Sequence, residues 1–193
     1  MLNFLRLLPV MLATLALPAQ AGWSLDNDSS RLSFTTSSNA GRAEVHRFVV
    51  LKGKVDDQGQ AQVDVELDSV STGIARRDEQ LREHLFDIKR TPGARLQARL
   101  TLAPLLALAP GAQMEMRLPV TVTLRGRQHT YKADLLVTRL DPRRFQVVTL
   151  EPLVVQADDF GLAQGFETLR KHGALAALNL AVPVGAVLIF AAN

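Results

Sequence analysis

The feature that most restricts this chain is an apolar/polar alternation of period two, repeated in separate segments. In "AQVDVELD", Ala61, Val63, Val65 and Leu67 fall on one face and Gln62, Asp64, Glu66 and Asp68 on the other. "RLQARLTL" sets Leu96, Ala98, Leu100 and Leu102 against Gln97, Arg99 and Thr101. "LPVTVTLR" sets Leu118, Val120, Val122 and Leu124 against Pro119, Thr121, Thr123 and Arg125. "YKADLLVTR" carries Tyr131, Ala133, Leu135 and Val137, its polar face broken only by Leu136. A strand sends successive side chains to opposite sides, so each segment reads as a strand with one buried and one wet face. Further strands are expected at 31–36, 44–56, 145–156 and 177–190. Turn chemistry separates them at Asp56-Asp57-Gln58-Gly59, Arg125-Gly126-Arg127 and Asp141-Pro142-Arg143. About eight strands linked mostly as hairpins predict an all-β antiparallel meander or barrel.

Closure is the physical solution for such a sheet. Only two helix candidates exist to cover its apolar face, and rolling the sheet up buries that face and removes its edges. An eight-stranded barrel is either filled by side chains or left just wide enough for one small ligand. The inward set is Val, Leu and Ala with few large aromatics, which predicts a cavity. By alternation alone, Val63, Val65, Leu100, Val120, Val122, Leu135 and Val137 are the candidate lumen residues. An outer-membrane barrel alternates in the same way but carries aromatic girdles. With one Trp and one Tyr, and with Asp64, Glu66, Asp68, Arg99 and Lys132 on the outward face, the soluble barrel is the better reading.

Residues 1–21, "MLNFLRLLPVMLATLALPAQA", have the layout of a cleaved secretory signal: Arg6, an apolar stretch from Leu7 to Leu17, and Ala19-Gln20-Ala21 before Gly22. The remainder, 22–193, suits one domain with its own core and a periplasmic location. It has no cysteine, so no disulfide supports it. The formal net charge of +3 reflects dispersed bases rather than a basic stripe, which argues against nucleic-acid binding. His46, His84, His129 and His172 have no partner at a metal-binding spacing, so no metal or other cofactor is expected. There is no Gly-x-Ser-x-Gly elbow, cysteine nucleophile or phosphate-cradling glycine loop, and the chain is not expected to be an enzyme.

One segment interrupts the strands with dense charge: "STGIARRDEQLREHLFD", Ser71 to Asp87. It reads as an amphipathic helix over 73–88 closing one end of the barrel, with Ile74, Leu81, Leu85 and Ile88 on one side. Asp78 and Arg82, four apart, predict a supporting ion pair. Arg76, Arg77, Asp78 and Arg82 are candidates for holding this lid or meeting a ligand's head group; alternatively Arg77 or Asp78 forms a structural pair beneath it. A second helix, "GFETLRKHGAL", would place Phe166, Leu169 and Leu175 inward, with Arg170, Lys171 and His172 near a C-terminus at Gly173.

Three elements, in order, resemble the YceI-like family. Trp23-Ser24-Leu25-Asp26 with Ser30 and Phe34 resembles its opening; Ser69 to Asp87 resembles its Ser-x-x-Thr…Arg-Asp-x-x-Leu-Arg…Phe-Asp run; Ala157 to Leu162 resembles its late Asp-Phe-Gly element. The resemblance implies an extended, lipocalin-like eight-stranded barrel with one or two short helices. It also implies an exported lipid-binding protein, not an enzyme, whose lumen holds a polyisoprenoid or similar lipid for transport, storage or a stress-related role. The chain departs from the pattern at Val45-His46-Arg47-Phe48, where a Gly often precedes the Phe. It departs again at Gln156-Ala157 in place of a late Arg, at Gln80 in place of a His, and over 166–184. These departures bear on the ligand, not the fold. Alternatives left open are a solidly packed scaffold or partner protein, a hydrolase or isomerase using Asp158 or Asp159 with Arg77, an outer-membrane role, and a homodimer.

Overall fold

The computed structural model describes residues 22–37, 42–171 and 180–193. Its strands are β1 (Gly22–Leu25), β2 (Arg31–Ser37), β3 (Ala43–Phe48), β4 (Leu51–Asp56), β5 (Gln60–Glu66) and β6 (Val70–Ser71) in the first half. The second half adds β7 (Gly93–Arg99), β8 (Gln113–Leu124), β9 (Arg127–Arg139), β10 (Arg144–Thr149), β11 (Leu153–Gln156) and β12 (Ala181–Ala192). Every pairing is antiparallel, and β1 pairs with β12 as well as β4, so the sheet closes on itself.

The ladder runs β1-β4-β5-β7-β8-β9-β10-β12 and back to β1, an eight-stranded barrel. The remaining strands are continuations of these eight across a bend. β1 and β2 both pair with β12, β3 continues into β4, β5 into β6, and β10 into β11. The bends have local causes. Between β1 and β2, the Ser30 hydroxyl donates to the Asp26 carbonyl at 2.6 Å and accepts from the Ile189 amide at 3.0 Å. The opening Asp…Ser motif is therefore bend chemistry. Between β3 and β4, Ser69 Oγ accepts from the amides of Val49 and Val50. Between β10 and β11 stands Pro152, which has no amide to give the ladder.

The expected strands at 44–56 and 145–156 are thus each two strands, and β1 is a strand that alternation did not mark. The predicted continuation of "RLQARLTL" stops at Arg99, because Leu102 opens the short helix α2 (Leu102–Leu106) across one barrel end; in number the helices exceed the one or two expected. Residues 177–179 of the last expected strand lie outside the described residues. The β8–β9 hairpin turns on Arg125 and Gly126, both at positive φ, as the two-residue hairpin turn that matches strand twist demands. On the outer wall, directly opposed residues form ion pairs: Asp64 with Arg95 at 2.7 Å, and Asp134 with Arg117 through two parallel bonds of 2.5 and 2.9 Å. No helix among the described residues is long and apolar enough to cross a membrane.

The opposite barrel end is covered by the charged segment and the second helix. The expected single helix over 73–88 is two pieces, α1 (Ala75–Gln80) and a wider π turn at Leu81–Phe86. In a π turn, residues five apart stack, so Leu81 and Phe86 join Leu85 in the core, while Ile74 stays 49% exposed. The expected Asp78–Arg82 pair is replaced: Asp78 turns back to Thr72 and Arg82 to Asp68. α3 (Ala163–Lys171) buries Phe166 and Leu169 as expected, while Gly173, Leu175 and His172 lie outside the described residues. α3 crosses the π turn at Gly165, where a Cβ would stand 2.8 Å from the His84 carbonyl oxygen, so only glycine allows the two elements to approach this closely.

Candidate functional site

The inward faces enclose two chambers. The first, about 160 Å³ counted as space open to the centres of water-sized spheres, lies towards α2 and is lined by Val63, Leu100, Val120, Leu135 and Val137 among others. The second, about 130 Å³, lies beneath the lid of Leu81, Leu85, Phe86, Leu162 and Phe166, with Val65 and Val122 in its wall. Leu32, Leu96, Leu153 and Val184 border both chambers and form a waist between them. All seven lumen candidates therefore line one chamber or the other.

The space is open because of where the large side chains sit. Phe34, Phe48, Phe86 and Phe160 gather at the lid end, and Trp23, Phe145 and Phe190 at the other. Between them the wall offers Ala94, Ala98, Ala133 and Ala186, too small to meet across the axis. A water needs only about 10–15 Å³ on this measure together with polar partners. Both chambers exceed that tenfold or nearly so and are walled with hydrocarbon, which suits an apolar chain.

Arg76, Arg77, Asp78 and Arg82 line neither chamber. Arg77, its side chain 15% exposed, is ion-paired with Glu44 on β3, a tie from lid to barrel. Asp78 accepts from the Thr72 amide at 2.8 Å and hydroxyl at 2.6 Å, fixing the start of α1. Arg82 holds the Asp68 carbonyl at 2.7 Å and carboxylate at 3.1 Å. Arg76 is exposed.

Asp158 and Asp159 do not alternate across a strand; they occupy a 3₁₀ turn, Ala157–Phe160. Asp158 is exposed, and Asp159 accepts from the Tyr131 hydroxyl at 2.7 Å and faces His129 Nδ1 at 3.4 Å. Burial first, and the bond to Asp159 second, push the Tyr131 phenol above its ordinary range. Arg77 is engaged by Glu44 and Asp159 by Tyr131, so the structure does not join them. Among the described residues no group of three or more His, Asp or Glu could hold a metal ion.

Alternation missed a polar cluster at the lid end. Strand pairing sets Thr36 opposite Glu44, Phe34 opposite His46 and Leu32 opposite Phe48, so all six share the inward face. His46 is 3% exposed; its Nε2 lies 2.8 Å from Thr36 Oγ1, and its Nδ1 is buried without a hydrogen-bond partner among the described residues. Burial, then the charge of Arg77, lower its pKa below 6.5, with Glu44 opposing weakly. The signal for Thr36 was present in "LSFTT", where it follows Leu32 and Phe34 at period two. His46 needed the β2–β3 register.

A pH dependence follows. With the folded pKa of His46 below its unfolded value, the unfolded chain binds more protons, so stability is complete above about 6.5 and falls as pH drops below it. Thermal melts between pH 7.5 and 5 should show a decline, by at most about 1.4 kcal/mol per pH unit from this group. In His46→Gln that component should vanish; an unchanged slope would mean that other groups set it.

A family model, the YceI-like domain, matches residues 23–185. Among solved structures, the chain is similar to one described as a polyisoprenoid binding domain from Saccharophagus degradans implicated in plant cell wall breakdown. That similarity has 35% identity and a TM-score of 0.86, and covers 90% of this chain and 99% of that one. It is similar in fold to BcnA of Burkholderia cenocepacia, at 19% identity and a TM-score of 0.63, covering 86% and 98% of the two chains. A YCEI protein of Campylobacter jejuni is similar at 14% identity and a TM-score of 0.55, covering 77% and 84%. No curated protein sequence matches the chain.

Proposed function

The chain belongs to the YceI-like family, and from that premise we propose that it is an exported, non-catalytic carrier that holds a polyisoprenoid or similar apolar chain along its lumen. The observation that carries this reading is the pair of hydrocarbon-walled chambers meeting at the Leu32–Leu96–Leu153–Val184 waist. Two chambers end to end suit a long flexible chain better than a compact ligand. Burial of such a chain contributes about 0.8 kcal/mol per methylene, so micromolar affinity needs only part of a prenyl chain. The description of the Saccharophagus domain as polyisoprenoid binding supports the same assignment. The signal-like layout of residues 1–21 supports export to the periplasm, where the protein would transport or store its ligand.

Native mass spectrometry of the protein purified without detergent tests this directly. The expected spectrum shows a chain starting at Gly22 with a lipid adduct that is lost on activation. A protein that is lipid-free on isolation and takes up no prenyl lipid when delipidated would refute the carrier reading and favour a scaffold. A mass retaining residues 1–21 would refute cleavage.

A further inference from the structure

We propose that the α2 end of the barrel docks on an anionic lipid bilayer, with α2 set over the mouth of the first chamber, so that an apolar chain passes between bilayer and lumen without crossing water. The docking stands on the surface itself. Its purpose rests on the carrier reading and deepens it by naming the partner that gives or takes the cargo.

From Leu100 to Met114 the chain carries no charged side chain. This segment holds α2 and closes one end of the first chamber, whose wall includes Leu102, Leu105 and Leu106. Leu105 is buried with Val137 and Phe145. Leu106 also lines the chamber yet is 45% exposed, so cavity wall and outer surface meet in one side chain. Arg139 joins this patch to the β9–β10 turn. Its guanidinium donates to the carbonyls of Leu106 and Leu108 at 2.7 and 2.8 Å, and Leu140, next in the chain, is 36% exposed. Pro104 and Ala107 are exposed as well. An exposed apolar patch rimmed by polar groups marks a membrane or partner contact.

Charge decides between those occupants. Arg139, Arg143 and Arg144 flank the turn against one carboxylate, Asp141. That carboxylate is already engaged by Arg144 Nε at 2.7 Å and by the amides of Arg143 and Arg144 at 2.8 Å. The exposed Arg143 donates to the Ala192 carbonyl at 2.9 Å, a carbonyl rather than a carboxylate. Apolar side chains entering the acyl boundary beside arginines that meet phosphates supply the two contributions to interfacial binding. A second copy docked by the same face would instead set like-charged turns against each other. Asp56 and Asp57 stand on the other side of the mouth, in the turn where Gly59 meets Leu100 and Leu102, and Glu115 lies back along β8 opposite Leu136. The Leu106 side therefore faces the bilayer. The lid end offers no such face: Ile74 is exposed there among Arg76, Arg77 and Glu79, and Arg77–Glu44 and Arg82–Asp68 pairs fasten the lid. α2 has no charged side chain and so no ion pair to hold it shut.

Flotation of the delipidated protein with vesicles tests the proposal. Binding to phosphatidylcholine vesicles containing phosphatidylglycerol should exceed binding to pure phosphatidylcholine and weaken as salt is raised. Leu140→Glu should lower it about tenfold, the worth of one apolar side chain withdrawn from the interface. Arg143→Gln should lower it about fivefold, on the anionic vesicles alone. Ile74→Glu, at the lid end, should leave it unchanged. A wild type that does not float, a Leu140→Glu variant that floats undiminished, or an equal loss in Ile74→Glu would overturn the proposal. So would a wild-type dimer that Leu140→Glu dissociates, which would give the face to a second copy. Leu140 lines neither chamber, so uptake of geranylgeraniol from solution should be unchanged in Leu140→Glu. Uptake without docking overturns the docking alone, whereas absent uptake in the wild type overturns the carrier reading and the transfer of cargo with it.

Discussion

Leu96→Trp is expected to abolish retention of a long-chain lipid while leaving the barrel folded. Leu96 sits at the middle of β7, paired with Val63 on one side and Val122 on the other, and borders both chambers. An indole there fills the waist and divides the lumen. A plug that denies a chain about five methylenes of burial costs about 4 kcal/mol, roughly a thousandfold in Kd. Overpacking a dense core costs about 1–3 kcal/mol, but here the ring has empty space to enter, so the loss of stability should be at the low end. Arg99→Trp, on the exposed face of the same strand, is the control. Lipid titration with a parallel thermal melt separates the effects: lost binding with a near-normal Tm supports a chain threaded through the waist. Undiminished binding by Leu96→Trp would mean that the ligand occupies one chamber only or lies outside the lumen.

The reason Leu96 could be singled out at all is that alternation has an exact period in a strand. A residue's parity decides its face, so Val63, Val65, Leu100, Val120, Val122, Leu135 and Val137 could be placed inward before any pairing was known. Parity carries no information about what lies across the barrel. The waist joins Leu32, Leu96, Leu153 and Val184 from four strands, and only closure brings them together. The bends at Val49 and Pro152 were equally hidden, because one is set by a side chain twenty positions away, the Ser69 hydroxyl. Where the backbone leaves the strand, parity is silent: Asp158 and Asp159 stand in a 3₁₀ turn that follows β11, and their surroundings could not be read from alternation. The lid shows the same limit for period 3.6. Ile88 packs against the core as expected, but the π turn adds Phe86 to the buried set while Ile74, ahead of α1, is exposed, and no propensity in "LREHLF" announces the turn.

The charges of the lid illustrate how density of titratable groups can be mistaken for chemistry. Arg77, Asp78 and Arg82 each reach a partner on the barrel or at the start of the helix, and each contact fastens the lid. The buried polar pair at this end of the barrel, Thr36 and His46, stands instead in unremarkable strand sequence. His46 falls in Val45-His46-Arg47-Phe48, one of the segments where the chain departs from the family pattern.

Phe160→Ala should be the most destabilising single change in the turn that follows β11, and Asp158→Ala beside it nearly silent. Phe160 is 1% exposed and heads the fully buried side chains by volume. Its ring lies 6.4 Å from that of Tyr131 and belongs to the same core as Leu81, Phe86 and Phe166, so it joins the barrel wall to the lid. The flanking residues hold it there. Gly161, at φ 66, lets the chain reverse directly after the ring; the Arg127 guanidinium packs 3.0 Å from where a Cβ would stand, and Arg125 donates to the Gly161 carbonyl at 3.3 Å. Removing a buried phenyl from such a position costs about 3–5 kcal/mol, because neighbours fixed by a turn and a ladder cannot collapse into the gap. For a domain of this size that lowers Tm by about 10 °C. Asp158 is exposed, and its loss should change stability by no more than about 0.5 kcal/mol. Differential scanning calorimetry of the two variants distinguishes the roles open to this Asp-Phe-Gly element. A large effect at Phe160 with none at Asp158 identifies it as the hinge that seats the lid. The reverse order would return the carboxylate to consideration as a functional group. Because the lid forms one wall of the second chamber, a loosened hinge should also shorten the residence time of a bound chain, which a melt alone would miss and a dissociation rate would record.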